Sequence, residues 1–197
     1  MATGFSGDES GGVRIGDTVA DFALGPIGLC AVARAKLSGA TTIIGIDAVP
    51  KRLAVAKAMS ADLTVDFAKC DVVEQFMELT DGRGADLANE ALGTLETFEN
   101  ALWVLRPGGA LASLGVYSTD LRIPLNAFAA SLGDNKIATP LCPGGKERMR
   151  RLMAVIESGR IDPKPLVTHR FSLDQIETAC EIFGHQSHGA LKVAITP

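Results

Sequence analysis

Ala23-Leu24-Gly25-Pro26-Ile27-Gly28 is the stretch that decides the fold, because its two glycines stand where a strand pattern passes into a helix pattern. Residues 18–24 form a short, largely apolar run, and residues 27–37 carry apolar side chains at helical spacing. A strand joined to a helix by a tight glycine turn begins a βαβ unit, in which the next strand runs parallel to the first. The stretch therefore predicts an α/β fold.

The same alternation continues along the chain on both sides of short turns. We predict strands at 18–24, 42–47, 63–66, 85–91, 110–116 and 136–139, and helices at 27–37, 50–59, 72–80, 94–105 and 125–132. Each crossover between parallel strands should be right-handed. The expected architecture is a doubly wound parallel sheet of six strands, spanning residues 1–140, with the first dozen residues as a linker.

The rhythm changes after Pro140, and residues 141–197 are expected to form a C-terminal extension. A helix is predicted over 146–158, and the prolines within 163–165 should end any helical run. A final helix near 173–183 then leads to a closing strand at 191–196.

Composition excludes several classes of protein. With 47% apolar residues in a chain of 197, a sizeable core is expected. The net charge is −4 and the basic residues are scattered, which argues against nucleic acid as a partner. No apolar run is long enough to span a bilayer, and residues 1–10 have no basic leader pattern, so we expect a cytoplasmic protein with no membrane contact.

The four cysteines indicate neither a disulfide framework nor a zinc site. They are far apart in sequence and none belongs to a C-x-x-C pair: Cys30, Cys70, Cys142 and Cys180. The histidines fall in the C-terminal extension, without ligand spacing to any cysteine. We therefore expect buried thiols in a reducing cytosol and no bound metal.

The glycine turn itself indicates dinucleotide binding, through Gly25, Pro26, Ile27 and Gly28. Glycines there let the backbone turn tightly, approach a pyrophosphate and pack the helix on the sheet, while the helix N-terminus faces the phosphates. The first glycine of the usual motif is replaced by Ala23. The alternative is that the glycines serve packing alone.

Asp47 ends the second predicted strand, nineteen residues beyond Gly28. A carboxylate at this place can accept hydrogen bonds from the ribose hydroxyls of NAD and repel the 2′-phosphate of NADP. The alternative is that Asp47 caps the helix that starts near Pro50. Arg52 either lines the adenine side of the cofactor or lies in solvent.

Two further strand ends carry glycine and are candidates for the nicotinamide side of the site. Ligands of doubly wound sheets lie across the carboxyl ends of the strands, where a glycine makes room for a flat ring. The candidate residues are Ala91, Leu92 and Gly93 at the end of the fourth predicted strand and Leu114, Gly115 and Val116 at the end of the fifth. The alternative is that glycine simply ends these strands.

Six stretches together resemble the zinc-dependent alcohol dehydrogenases of the medium-chain dehydrogenase/reductase superfamily. They are spread over nearly the whole chain: Gly16-Asp17-Thr18-Val19, Gly25-Pro26-Ile27-Gly28, Thr80-Asp81-Gly82-Arg83-Gly84, Glu90-Ala91-Leu92-Gly93, Leu105-Arg106-Pro107-Gly108-Gly109 and Gly189-Ala190-Leu191-Lys192-Val193. The resemblance implies a Rossmann-type fold that binds NAD for hydride transfer to or from a primary or secondary alcohol. It also implies that Leu114, Gly115 and Val116 flank the nicotinamide and that Lys192 approaches the pyrophosphate, unless Lys192 is only a solvated lysine.

The resemblance carries further expectations about the rest of such an enzyme. The chain looks like the NAD-binding half, starting in a connector at Thr3-Gly4-Phe5-Ser6-Gly7, so the domain that holds the catalytic zinc should be absent and the chain alone inactive. The strand at 136–139 should pair with its counterpart in a second subunit, giving at least a homodimer.

Two other readings of function remain. The chain could be a non-catalytic module that binds or senses NAD, or a subunit completed by another chain. The other reading is a zinc-free quinone reductase relative, but such a protein would be expected to carry a basic or hydroxyl residue in place of Asp47, so the sequence counts against it. Separately, Asp21 and Asn89 interrupt buried strands, and they either find partners or weaken the domain by about 1–3 kcal/mol each.

Overall fold

The computed structural model of the chain describes residues 1–126, 134–185 and 189–197. The chain divides into two compact units, Met1–Arg150 and Arg151–Pro197. Within the described residues, no helix is both long enough and apolar enough to cross a membrane.

The first unit contains a parallel six-stranded sheet with strand order β3-β2-β1-β4-β5-β6. Its strands are β1 (Thr18–Phe22), β2 (Thr42–Asp47), β3 (Leu63–Asp66), β4 (Ala85–Glu90), β5 (Leu105–Ser113) and β6 (Lys136–Ala138). The direction of winding reverses between β1 and β4, which lie side by side. The predicted doubly wound parallel sheet of six strands is confirmed.

The helices of this unit alternate with the strands, and those after α1 lie close to their predicted positions. They are α1 (Ala2–Gly11), α2 (Pro26–Ser38), α3 (Pro50–Ala58), α4 (Val72–Leu79) and α5 (Leu95–Trp103), with α6 (Lys146–Glu157) continuing past Arg150. Prolines at the first positions of α2 and α3 suit helix starts, since the N–H that proline lacks would have no partner there. The predicted helix over 125–132 lies, after its first two residues, outside the described part of the chain.

Alternate residues of the strands form the main core of the first unit. Apolar side chains of β1, β2, β3, β4 and β5 pack against α4 and α5 in one cluster: Ala20, Phe22, Ile44, Ile46, Val65, Val72, Phe76, Ala85, Ala88, Phe98, Ala101, Leu102, Val104, Leu105 and Leu111. This face of the sheet is closed by apolar contact, so the cluster carries no chemistry.

The first dozen residues are not a linker, because residues 2–11 form α1. Gly4 to Asp8 are buried, and the helix packs against α2. The sequence alone suggested a connector because glycine, serine and acidic residues dominate this segment and its helical periodicity is weak. The helix is fixed by its tertiary contacts.

The boundaries of two strands also differ from the expected ones. Strand β1 ends at Phe22 because Ala23 takes a left-handed backbone conformation, with φ +67°. Strand β5 starts at Leu105, within the segment predicted as helix, and the Arg106-Pro107-Gly108-Gly109 segment forms a bulge before the ladder with β4 resumes. Leu114, Gly115 and Val116 consequently follow the strand instead of ending it.

The second unit contains a two-stranded sheet, of which only the second strand was predicted from the sequence. Strands β7 (Val167–Ser172) and β8 (Lys192–Thr196) pair in parallel. A short 3-10 turn (Lys164–Leu166) precedes β7, and a second one (Leu173–Gln175) and α7 (Ile176–Gly184) lie between the two strands. Strand β7 was missed because the prolines before it suggested irregular structure. The expectation of four buried thiols was partly wrong, since Cys142 and Cys180 are exposed.

Asp21 and Asn89 find partners across the sheet, in a buried cluster with Asp8. The Asn89 amide donates to Asp8 at 2.7 Å and to Asp21 at 2.9 Å. Asp21 and Asn89 are opposite each other in the β1–β4 ladder, and Asp8 reaches them from α1. One oxygen on each of the three side chains has no hydrogen-bond partner, so the cluster is satisfied only in part.

Candidate nucleotide-binding site

The glycine turn lies at the carboxyl end of β1, where the sheet reverses its winding. A β-carbon at Gly28 would collide with the carbonyl oxygen of Ala23, so only glycine allows α2 to pack this closely on the strand. A β-carbon at Gly25 would meet nothing within 4 Å, which leaves that side of the turn open. The geometry suits the two roles that the glycine motif needs, close helix packing and access for a ligand.

The N-terminus of α2 has no side-chain cap. Gly25 is the N-cap residue and carries no side chain, and Pro26 follows at the first helical position. The N–H groups of the first turn therefore have no side-chain cap, and the positive end of the helix dipole favours an anion there. A dinucleotide pyrophosphate fits both features.

Asp47 joins the end of β2 to this turn. Its Oδ2 accepts a hydrogen bond of 2.8 Å from the Leu24 N–H, and its Oδ1 accepts one of 2.9 Å from the Val49 N–H. The N-cap of α3 is Val49, so the alternative role of Asp47 as the helix cap is wrong. Each carboxylate oxygen has two lone pairs, so Asp47 can still accept hydrogen bonds from ribose hydroxyls.

Arg52 lies against Asp47 and does not extend freely into solvent. Its Nη1 is 3.5 Å from Asp47 Oδ2, and its side chain is only 15% exposed. The alternative that placed Arg52 in solvent is therefore wrong. Asp47 and Arg52 form an ion pair beside the open face of the glycine turn.

The turns after β4 and β5 meet backbone to backbone. Gly93 has φ +95°, and a β-carbon there would lie 2.5 Å from the carbonyl oxygen of Val116. A β-carbon at Gly115 would collide with the backbone of Gly93. Both positions need glycine for this close approach, so the structure brings together the two groups of residues proposed for the nicotinamide side.

The apolar side chains of these turns are exposed to different extents. Val116 is 89% exposed and Leu92 is 50% exposed, whereas Leu114 is buried at 7%. Of the residues predicted around the nicotinamide, Leu92 and Val116 offer side chains to a ligand. Leu114 instead packs inward, with its N–H donating to the Glu90 carbonyl at 2.7 Å.

The β1 and β4 turns are direct neighbours. The Ala91 N–H donates to the Phe22 carbonyl at 3.1 Å, and a β-carbon at Gly28 would stand 3.9 Å from that of Ala91. The candidate residues thus lie along one edge of the sheet, at the carboxyl ends of four neighbouring strands. The ribose candidate lies at the end of β2, the glycine turn at the end of β1, and the nicotinamide candidates at the ends of β4 and β5. This is the edge at which doubly wound sheets bind ligands.

Glu90 is the residue of this edge that sequence reasoning passed over. It is fully buried at the end of β4. Its Oε1 accepts hydrogen bonds from the Leu92 N–H, the Gly93 N–H and the Thr97 hydroxyl, each at 2.8 Å. Its Oε2 accepts one of 2.5 Å from the Tyr117 hydroxyl. A glutamate at the end of a strand with burial expected on both faces was the signal available in the sequence.

Lys192 is the first residue of β8, in the second unit, and its side chain is exposed. Its approach to a pyrophosphate stays a prediction. Among the described residues, no three His, Cys, Asp or Glu side chains are grouped so that they could hold a metal ion.

A parallel sheet in this strand order, with a glycine turn at its switch point, defines the Rossmann class of dinucleotide-binding domains. Comparison with known proteins narrows the class. A family model described as zinc-binding dehydrogenase matches residues 26–158. The chain therefore belongs to the zinc-binding dehydrogenase family, as the resemblance of its motifs indicated.

Individual relatives agree with this assignment. The chain is 62% identical over 197 residues to an alcohol dehydrogenase of Cupriavidus necator, covering 100% of this chain and 54% of that protein. It is 37% identical over 182 residues to the NADP-dependent isopropanol dehydrogenase of Thermoanaerobacter brockii, covering 91% of this chain and 52% of that one. The alcohol dehydrogenase TADH from Thermus sp. ATN1 matches with a TM-score of 0.88 at 30% identity, over 99% of this chain and 57% of that structure. The chain thus spans about half the length of the relatives it matches.

Proposed function

We propose that this chain binds NAD and holds it for hydride transfer between the cofactor and a primary or secondary alcohol. Gly25, Pro26, Ile27 and Gly28 would bind the pyrophosphate, and Asp47 the adenosine ribose, with Arg52 beside it. Ala91 to Gly93 and Leu114 to Val116 would surround the nicotinamide, and Lys192 would approach the pyrophosphate. We propose that residues 1–140 form the nucleotide-binding domain and that residues 141–197 form its C-terminal extension.

The chemistry on the alcohol is proposed to need residues outside this chain. The resemblance to zinc-dependent alcohol dehydrogenases implies that a metal held outside this chain would act as Lewis acid on the alcohol oxygen and that the bound cofactor would accept the hydride. The contribution of the residues described above would be to bind and orient. We accordingly expect the chain alone to bind NAD without oxidising alcohols.

Two further features of the proposal rest on other observations. Exposed free thiols at Cys142 and Cys180 fit a reducing compartment, and we propose the cytoplasm. The alternative function is a module that binds or senses NAD with no catalytic role in any assembly. Alcohol-dependent NADH formation, by the chain alone or with an added zinc-bearing partner, would favour the dehydrogenase.

The observation that carries the choice of NAD is the contact of Asp47 with the glycine turn. A 2′-phosphate at this place would meet the Asp47 carboxylate, while Arg52 is already paired with that carboxylate at 3.5 Å. Like-charge contact of this kind disfavours the wrong ligand. The relative named as NADP-dependent makes NADP the competing cofactor.

Calorimetric titration with NAD and NADP tests this choice. The unaltered chain should bind NAD more tightly. Asp47→Ser should narrow or reverse the difference, and the affinity for NADP should rise about tenfold to a hundredfold. The change removes the carboxylate that repels the 2′-phosphate and keeps the positive charge of Arg52 beside that place.

The double variant Asp47→Ser/Arg52→Gln is the matched control, and the gain in NADP affinity should disappear in it. Tighter binding of NADP by the unaltered chain would refute the NAD preference. Failure to bind either dinucleotide would refute the proposed function as a whole.

A further inference from the structure

We propose that Glu90 is a positioning residue, whose buried carboxylate locks the turns after β4 and β5 into one rigid platform for the nicotinamide ring. The inference rests on the proposed function, because it concerns the nicotinamide side of the same site. It adds a role for a side chain that need not touch the cofactor.

The first step of the argument is the set of groups that Glu90 holds. Leu92 and Gly93 belong to the turn after β4, Thr97 to α5, and Tyr117 to the segment after β5. One carboxylate therefore connects three separate segments of chain. All four donors are neutral N–H or O–H groups, so the negative charge strengthens each bond without a competing cation among them.

The second step is that this carboxylate sits at the contact between the two turns. A β-carbon at Gly115 would lie 2.7 Å from Glu90 Oε2. Gly93, whose N–H binds Glu90 Oε1, is the residue against which Gly115 packs. The relative position of the two turns is thus set around Glu90.

The third step concerns Tyr117, which carries the connection to the segment after β5. Burial and the hydrogen bond to Glu90 raise the pKa of Tyr117, so its hydroxyl remains a donor across the ordinary pH range. The same hydroxyl is 2.6 Å from Ser113 Oγ, and the ring packs edge-on against Phe98. Its aromatic packing therefore does not depend on the hydroxyl.

The exposed side chains of the platform explain why its rigidity matters to a ligand. Leu92 is exposed on the turn after β4 and Val116 on the turn after β5, each next in sequence to a glycine of the contact between the two turns. A flat ring is held well only if the surfaces around it keep a fixed spacing, because ordering loops on binding costs affinity. Glu90 orders these turns before the cofactor arrives.

The test compares NADH with ADP-ribose, which lacks the nicotinamide but retains both ribose-phosphate halves. In Glu90→Gln, NADH affinity should fall about tenfold, the effect of losing charge-assisted bonds, while ADP-ribose affinity stays within about twofold. The fluorescence emission of bound NADH should also shift toward that of free NADH. A role limited to overall folding would weaken both ligands alike.

Two further variants keep the test decisive. Tyr117→Phe removes only the hydroxyl bonded to Glu90 and should reproduce a smaller selective loss for NADH, even if Glu90→Gln folds poorly. Ser113→Ala, which removes the other partner of that hydroxyl, is the matched control and should leave the ratio of the two affinities unchanged.

The outcomes separate the two proposals. If NADH and ADP-ribose weaken equally in Glu90→Gln and Tyr117→Phe, or neither ligand weakens, the platform role is refuted. The platform role is also refuted if the unaltered chain binds NADH and ADP-ribose with equal affinity, because the nicotinamide then contributes nothing to binding. If the unaltered chain binds neither ligand, the proposed function itself fails.

Discussion

Ala23 is the residue at which this glycine turn departs from the usual dinucleotide motif, and its backbone adopts a conformation that favours glycine. Its φ of +67° lies in the left-handed region, where a β-carbon costs about 1–2 kcal/mol. Its N–H nevertheless donates to the Ile46 carbonyl at 2.9 Å, and its carbonyl faces Gly28. The turn thus keeps the glycine geometry without the glycine.

Ala23→Gly should therefore stabilise the chain. The free energy of unfolding should rise by about 1 kcal/mol, since glycine adopts a positive φ without a steric penalty. The midpoint of thermal unfolding should rise by about 2–4 °C for a chain of this size. Urea and thermal unfolding followed by circular dichroism measure both quantities.

The matched control is the exposed Ala54 in the middle of α3, where the same change should lower stability by about 1 kcal/mol. If Ala23→Gly destabilises the chain as Ala54→Gly does, the strain at Ala23 is not real.

At the scale of elements, Asp8, Asn89 and Asp21 connect α1, β4 and β1 through one buried cluster. Burial raises the pKa of Asp8 to about 7, against the hydrogen bond from Asn89 and the charge of Arg34, while the charge of Glu9 adds to the rise. Burial and the nearby Asp8 raise the pKa of Asp21 well above its ordinary value, against the Asn89 hydrogen bond. A protonated carboxyl oxygen has no charge to desolvate, which lowers the cost of burying the oxygens that lack partners.

The consequence is a stability that falls as pH rises. The folded chain retains protons on Asp8 and Asp21 that the unfolded chain releases near pH 4, so their stabilising contribution is complete below that pH. It is lost as pH rises through the raised pKa values, at up to about 1.4 kcal/mol per pH unit for each proton. Urea unfolding from about pH 5 to about pH 9 should show this decline.

The double variant Asp8→Asn/Asp21→Asn should flatten the dependence. Asp86, whose own burial is outweighed by hydrogen bonds from Arg83, the Thr18 N–H and Arg106, has a pKa lowered to about 2. Its contribution has the opposite sign but changes only at acid pH, outside the range of the measurement. An identical pH profile in the parent chain and the double variant would contradict the prediction.

At the scale of the whole molecule, β6 is the last strand in the order of the sheet and spans only Lys136–Ala138. An exposed strand edge offers backbone groups to a second copy. Apolar side chains near it in sequence are exposed as well: Leu121, Ile123, Leu125, Ile137 and Leu141. We propose that the chain associates through this edge, at least as a dimer.

Ile137→Lys should weaken that association, because a charge on an edge strand opposes pairing with a second edge. Light scattering coupled to size exclusion, over a series of concentrations, should show a dimer for the parent chain and more monomer for the variant. Leu63→Lys, on β3 at the opposite edge of the same sheet, is the matched control and should remain dimeric. A parent chain that stays monomeric at high micromolar concentration would contradict the proposal.

The sequence by itself determined the alternation of strands and helices, the doubly wound sheet, the glycine turn and the family. Each of these properties follows from local patterns of about a dozen residues or fewer, namely hydrophobic periodicity, turn residues and short motifs. The placement of Asp47 at the end of β2 was predictable for the same reason. The cofactor preference that it suggests awaits the titration.

Only the tertiary structure decided α1, the early start of β5, the partners of Asp21 and the position of Glu90 between two turns. The Asn89 hydrogen bonds to Asp8 and Asp21 join residues 81 and 68 positions apart, and Tyr117 reaches Glu90 across 27 positions. No local pattern encodes such contacts, because they depend on which strands become neighbours in the sheet. A polar side chain in a buried strand shows in sequence that a partner is needed, and the fold alone supplies it.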